Sequence, residues 1–173
     1  MTHHALRAFT LPELATVLAL TALITTFGLP ALADAIARHR LHAAGEALTT
    51  TLTRARATAI RRGHETHVCA SANGRICAAA PEWHRGWLAR DRKTGMLFDL
   101  SDVIGGRIVS ARRQGRHDIV FRPDGSAPGD NQRITLCVRR KPQTAFSIVV
   151  SDAGRVRRDA AFAEEASACA SSS

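Results

Sequence analysis

Between Leu14 and Ala33 lie 20 consecutive residues without a charge. As a helix rising about 1.5 Å per residue, that run spans roughly 30 Å, the hydrocarbon thickness of a bilayer. It therefore reads as a membrane-spanning helix. Glu13 stands immediately before it. A carboxylate inside such a segment costs on the order of 2.5–3.5 kcal/mol when ionised, so Glu13 either marks the wet end of an anchor or has a cationic partner.

The segment MTHHALRA is too short for a secretory signal. A cut between Ala8 and Phe9 would precede the apolar run and leave it in the mature chain. Pro30, with Gly28 close by, should loosen the helix near its outer end. Beyond it Leu41, Leu48, Leu52, Ala55 and Ala59 recur at spacings of 7, 4, 3 and 4, one face of a helix, with Gly63 as its stop. Residues 9–62 thus read as one long helix, apolar all round at first and amphipathic afterwards.

After Gly63 short β-type runs alternate with turn signals. Strands are expected at His64–Ala70, Gly86–Arg92, Arg107–Ala111, Asp118–Arg122, Arg133–Val138 and Phe146–Ser151. Turns fall at Asn73-Gly74, at Asp124-Gly125 and at Asp152–Gly154. The strands are too closely spaced for helical crossovers, so the sheet should be mainly antiparallel and should pack on the apolar face of residues 41–60. The fold class is α+β. The expected organisation is a leader at 1–8, a transmembrane helix at 9–37, its amphipathic continuation at 38–62, a β-rich domain at 63–159 and a partly mobile C-terminal tail at 160–173.

Charge is uneven. Residues 1–37 hold Arg7 against Glu13 and Asp34, residues 38–62 six arginines against Glu46, and residues 105–158 twelve Lys/Arg against four Asp. The part beyond the anchor is therefore basic, which suits a polyanionic partner or a solvated arginine-rich surface. Four cysteines allow three pairings. Cys69 and Cys77 flank the Asn73-Gly74 turn, so a hairpin would join them, leaving Cys137 to hold Cys169 and the tail. Zinc held by Cys69 and Cys77 with His64 and His67 competes, but the spacing matches none of the usual zinc patterns. No metal or other cofactor is expected. Nothing resembles a nucleophile with its base, a P-loop or paired catalytic carboxylates, so the chain reads as a non-enzyme.

Ala8-Phe9-Thr10-Leu11-Pro12-Glu13-Leu14, after a short basic leader and before the apolar run, resembles the processing site of type IV pilins and pseudopilins. The resemblance implies the type IV pilin fold, an inner-membrane anchor with a periplasmic globular domain, cleavage by a prepilin peptidase before Phe9, and methylation of the new N-terminus. It also gives Glu13 a partner, the N-terminal amine of a neighbouring pilin in the filament, since an apolar interior tolerates a carboxylate only beside a compensating cation. Ala8 stands where that family has glycine. Trp83-x-x-Gly86-Trp87, Phe121-Arg122-Pro123-Asp124-Gly125, Ile134-Thr135-Leu136-Cys137 and Ser151-x-x-Gly154-Arg155-Val156-Arg157 are similar to the GspH/FimT family of minor pilins. Some FimT members bind DNA during natural transformation through a Gly-Arg-x-Arg motif, which here is Gly154-Arg155-Val156-Arg157, followed by Arg158.

Residues two apart in an extended segment project to one side, so Arg155 and Arg157 would face a partner together. Guanidinium forks match phosphate oxygens. Arg139, Arg140 and Lys141 would extend the patch if their loop lies nearby. The expectation is a FimT-like minor pilin that assembles with other pilins and grips the phosphate backbone of double-stranded DNA. A GspH-like pseudopilin of type II secretion with a purely structural role is the alternative.

Overall fold

The computed structural model describes residues 10–80, 82–102, 104–112, 118–129 and 131–171. They divide into two compact units, the first ending at Ile36 and the second beginning at Ala37.

In the N-terminal unit, helix α1 (Leu11–Leu23) follows Thr10 in extended conformation. Pro12 lies in its first turn, where a missing N–H breaks no helical bond. A π turn, Ile24–Gly28, comes next, at the place where loosening is expected. Pro30 has no N–H to offer the Thr26 carbonyl. The hydroxyls of Thr25 and Thr26 turn back onto the carbonyls of Thr21 and Ala22. Helix α2 follows at Leu29–Arg62. Leu11–Arg62 is long and apolar enough to cross a membrane, and Leu14, Leu18, Leu23 and Phe27 are all exposed on the isolated chain.

The C-terminal unit is built on the second part of α2. Leu41, Leu48, Leu52, Ala55 and Ala59 are buried along one stripe, and Gly63 ends the helix with φ +67°. Among the described residues eight antiparallel strands follow: β1 (Thr66–Ala70), β2 (Trp87–Asp91), β3 (Leu97–Ser101), β4 (Ile108–Arg112), β5 (Asp118–Phe121), β6 (Gln132–Val138), β7 (Lys141–Val150) and β8 (Val156–Ala160). They form two sheets where the sequence suggests one, in orders β3-β2-β1-β5 and β4-β6-β7-β8. One apolar core joins both sheets to α2 through Trp83, Trp87, Phe121, Ile134, Leu136 and Ile148. The Trp87 indole N–H donates to the Thr51 hydroxyl at 3.1 Å, so its one polar atom is satisfied inside that core.

Three further departures from the sequence expectations have local causes. Strands β3 and β8 were not expected, because neither buries a residue fully and neither alternates apolar with polar positions. The segment after Cys69 is not a hairpin but an irregular loop wound around Asn73, whose side-chain oxygen accepts from the Arg75 and Ile76 N–H groups. The disulfide Cys69–Cys77 closes that loop against β1. Finally, the tail, expected to be partly mobile, contains helix α3 (Ala163–Ser171). It lies on the outer face of the second sheet, joined there by Cys137–Cys169. Glu165 completes the attachment by accepting from Ser147 at 3.1 Å and from Thr135 and Arg133 at 3.3 Å.

Candidate nucleic-acid interface

Two turns, one from each sheet, meet beside α2. The first is Arg122–Ser126, closed by the Arg122 N–H to the Ser126 carbonyl at 2.8 Å. The second is Ser151–Arg155, closed by the Gly154 N–H to the Ser151 carbonyl at 2.7 Å and by the Arg155 N–H to the Ser151 hydroxyl at 3.1 Å. Arg56 of α2 ties them together. Its Nε donates to the Gly125 carbonyl at 3.0 Å and its Nη2 to the Ala153 carbonyl at 3.1 Å.

Gly154 is where the turns touch. Its φ is +71°, and a Cβ there would run into the Gly125 carbonyl oxygen. Only glycine meets both demands, the left-handed backbone and the close approach. The glycine of the Gly-Arg-x-Arg segment therefore sets the position of the arginines after it.

Those arginines divide by strand geometry. In β8, Arg157 is opposite Val149 and Arg158 opposite Ile148, so they lie on opposite faces of the sheet. Arg155 and Arg157 are exposed. Arg155 makes no ion pair among the described residues, and Arg157 lies 3.7 Å from Asp159 across an exposed contact. Arg158 faces α2 and is occupied there. Its Nη1 is 2.8 Å from the Glu46 carboxylate, and its guanidinium sits 3.9 Å over the Phe146 ring. Gly45 makes room for this arrangement, because a Cβ at that position would come within 2.6 Å of Phe146.

Arg139 and Arg140 form the β6–β7 turn and Lys141 begins β7, at the opposite end of that strand from Gly154. The length of β7 separates the two clusters by roughly 30 Å. The structure does not bring them together, and the extended patch suggested by the sequence becomes two. Arg122, which the sequence reading left out of the site, lies on the turn packed against Gly154. It is exposed and makes no ion pair among the described residues. Arg56 was also overlooked, since an arginine off a helix's apolar stripe gives no sign that it clamps two turns.

The acidic groups nearby are engaged. Asp124 accepts from the Ser126 hydroxyl at 2.6 Å and backbone N–H at 2.9 Å. The Ser126 hydroxyl, then its N–H, holds the Asp124 carboxyl below the usual range. Asp152 accepts from the Gly129 N–H at 3.0 Å.

A family model described as type II transport protein GspH matches residues 44–154. The chain belongs to that family. The matched span of this GspH-family chain includes the turn glycine and stops just before Arg155. Two crystal structures of the type IV minor pilin FimU of Pseudomonas aeruginosa share its fold. One is 17% identical with a TM-score of 0.59 over 73% of this chain and 92% of that one. The other is 18% identical with a TM-score of 0.56 over 68% and 91%. The minor pseudopilin EpsH of Vibrio cholerae matches at 10% identity, with a TM-score of 0.47 over 66% and 92%. No curated protein sequence matches. The α+β architecture of a long N-terminal helix and antiparallel sheets is that of the type IV pilin fold.

Elsewhere in the GspH-family chain, Glu13 is exposed in the first turn of α1, whereas Ala8 and Phe9 lie outside the described residues. Of the suggested zinc ligands, His67, Cys69 and Cys77 bring their ligand atoms within 4.8 Å of one another. Cys69 and Cys77 are joined in a disulfide, and His64 lies on Asp91 at 3.4 Å. His67 Nε2 is 2.7 Å from Asp118. Burial lowers the His67 pKa despite that carboxylate.

Proposed function

We propose that this chain is a FimT-like minor pilin whose Gly154–Arg157 turn grips the phosphate backbone of double-stranded DNA for uptake. The observation that supports this reading is the placement of Arg155, Arg157 and Arg122, all exposed, at one end of the unit. Guanidinium forks in that setting offer paired donors to phosphate oxygens without reading bases. Tyrosine is absent from the chain and both tryptophans are buried in the core. A stacking platform for single strands has no support, and duplex is preferred. Each site would bind weakly, with avidity supplied by repetition along a filament.

In this reading prepilin peptidase cuts between Ala8 and Phe9, the new N-terminus is methylated, and the helix of residues 9–37 holds the protein in the inner membrane. The globular unit faces the periplasm until assembly. Glu13 then pairs with the terminal amine of a neighbouring pilin. The GspH family description favours a second reading, a structural pseudopilin of type II secretion that contacts only protein.

The deciding experiment is duplex binding by the full chain in zwitterionic nanodiscs across a salt series, beside an Arg155→Gln/Arg157→Gln variant. The DNA reading expects log K to fall with log salt, and the variant's slope to be shallower by roughly 1–2. Equal slopes would move DNA to another surface. Absence of binding by both proteins favours the pseudopilin.

A further inference from the structure

The second basic cluster lies where the chain enters the globular unit. Arg40 of α2 sits against Gly105 and Gly106, and the next residue, Arg107, accepts the Arg139 N–H at 2.7 Å. Arg140 follows, its N–H donating to the Ala170 carbonyl at 3.0 Å. Lys141 begins β7, and Arg38 is two residues before Arg40. Six cationic side chains from three segments of the fold thus surround one end of the unit. Arg38, Arg40, Arg139 and Arg140 are exposed and make no ion pair among the described residues. The acids in the vicinity are fewer: Asp34 one turn earlier, Asp102, and Glu82, which is 3.0 Å from Arg85. Along α2, Arg40 and the DNA-turn clamp Arg56 are about 24 Å apart.

Arg38 follows Ala33, the last residue of the uncharged run, by only five residues. A cationic ring tethered that closely to a membrane span meets lipid headgroups before any soluble polyanion. We propose that Arg38, Arg40, Arg107, Arg139, Arg140 and Lys141 form a collar that docks the globular unit on anionic phospholipid headgroups while the protein resides in the membrane. Guanidinium groups pair with headgroup phosphates, and net negative surface charge draws the whole ring in. Folding brings Arg107 and Arg139 to Arg40 from segments far away in sequence, so the collar is a property of the folded unit. It rests on the reading of the N-terminal helix as a membrane span and is independent of DNA binding.

The test uses the full chain in nanodiscs of phosphatidylcholine alone or with about 30% phosphatidylglycerol. Phenylglyoxal modifies exposed guanidinium groups, and peptide mass spectrometry reads each rate. The collar expects labelling at Arg139 and Arg140 to fall by about threefold or more in the anionic discs and to recover at about 0.5 M salt. Arg155, at the far end, should change little. In an Arg38→Gln/Arg40→Gln variant the protection at Arg139 and Arg140 should weaken. Unchanged labelling at Arg139 and Arg140, or equal slowing at Arg155, overturns the collar. Failure of the chain to enter discs of either composition overturns the anchor reading and the collar with it, whereas entry with unchanged labelling overturns the collar alone.

Discussion

Arg158 adjoins the Gly154–Arg157 segment proposed to grip DNA, yet the structure engages it in packing, and substitution separates the two roles. In Arg158→Gln the contact with Glu46 is lost. That carboxylate side chain is 71% exposed, so the pair is worth only about 0.2–1 kcal/mol. The guanidinium over Phe146 at 3.9 Å adds about 0.5–1 kcal/mol. Together the loss is about 1–2 kcal/mol. With a urea dependence of about 2 kcal/mol/M, the midpoint should fall by about 0.5–1 M. Trp83 and Trp87 are buried in the C-terminal unit, so tryptophan fluorescence of the full chain in detergent reports its unfolding directly. Arg155→Gln, which breaks no side-chain hydrogen bond or ion pair among the described residues, should shift stability by less than about 0.5 kcal/mol. The salt slope for DNA should be unchanged in Arg158→Gln. An unmoved midpoint combined with a flatter slope would refute the reasoning and return Arg158 to the binding surface.

Other expectations are independent of DNA. Glu13→Ala should be processed normally but enter filaments poorly, and normal incorporation measured by immunoblot of sheared pili would remove the charge-pairing account. Mass spectrometry of the mature protein should find Phe9 at the N-terminus, with Ala8→Gly raising the processed fraction; an intact leader in both would argue against peptidase processing. Replacing Cys137 and Cys169 by serine opens a link between residues 32 apart, against 8 for Cys69 and Cys77. Chain entropy ranks the losses at about 3–4 and 2–3 kcal/mol, an order that urea midpoints can reverse or uphold. Asp91 is held at a pKa of about 2, chiefly by the Thr94 N–H and also by His64 and the Lys93 N–H. Because the folded value lies below the ordinary carboxylate one, its contribution is present above about pH 4 and fades as pH falls towards 2. The wild-type midpoint should therefore drop more between about pH 5 and pH 3 than that of Asp91→Asn. Equal drops would assign acid sensitivity to other carboxylates.

The long helix was legible because its signals are local: an uncharged run, a heptad-like stripe and a terminal glycine. Five of the eight described strands alternate or cluster apolar residues strongly enough to read within two residues of their ends, as Thr66–Ala70 and Gln132–Val138 illustrate. Splitting of the strands into two sheets was not legible, because pairing of β5 with β1 and of β4 with β6 is a long-range choice that no single strand encodes. Helix α3 was missed although alanine and glutamate favour helix, because its nine residues carry no large apolar side chain to mark a buried face. What fixes it are partners far away, Glu165 on Thr135 and Ser147 and a disulfide to Cys137. At the candidate site the motif located Gly154, Arg155 and Arg157 together. It could not distinguish Arg157 from Arg158, since adjacent strand residues face opposite sides and only the register tells which side is covered by α2.

The twin bonds from Arg56 also have a mechanical meaning. A partner gripping Arg155 pulls on a turn whose neighbouring Ala153 carbonyl is held by the same guanidinium that holds Gly125 in the other sheet. Tension entering there is shared between two turns and passes into α2 through one side chain. An edge strand such as β8, loaded alone, would peel one ladder bond at a time. Arg56 instead loads its two hydrogen bonds in parallel, so the tip of the unit resists tearing as a single piece.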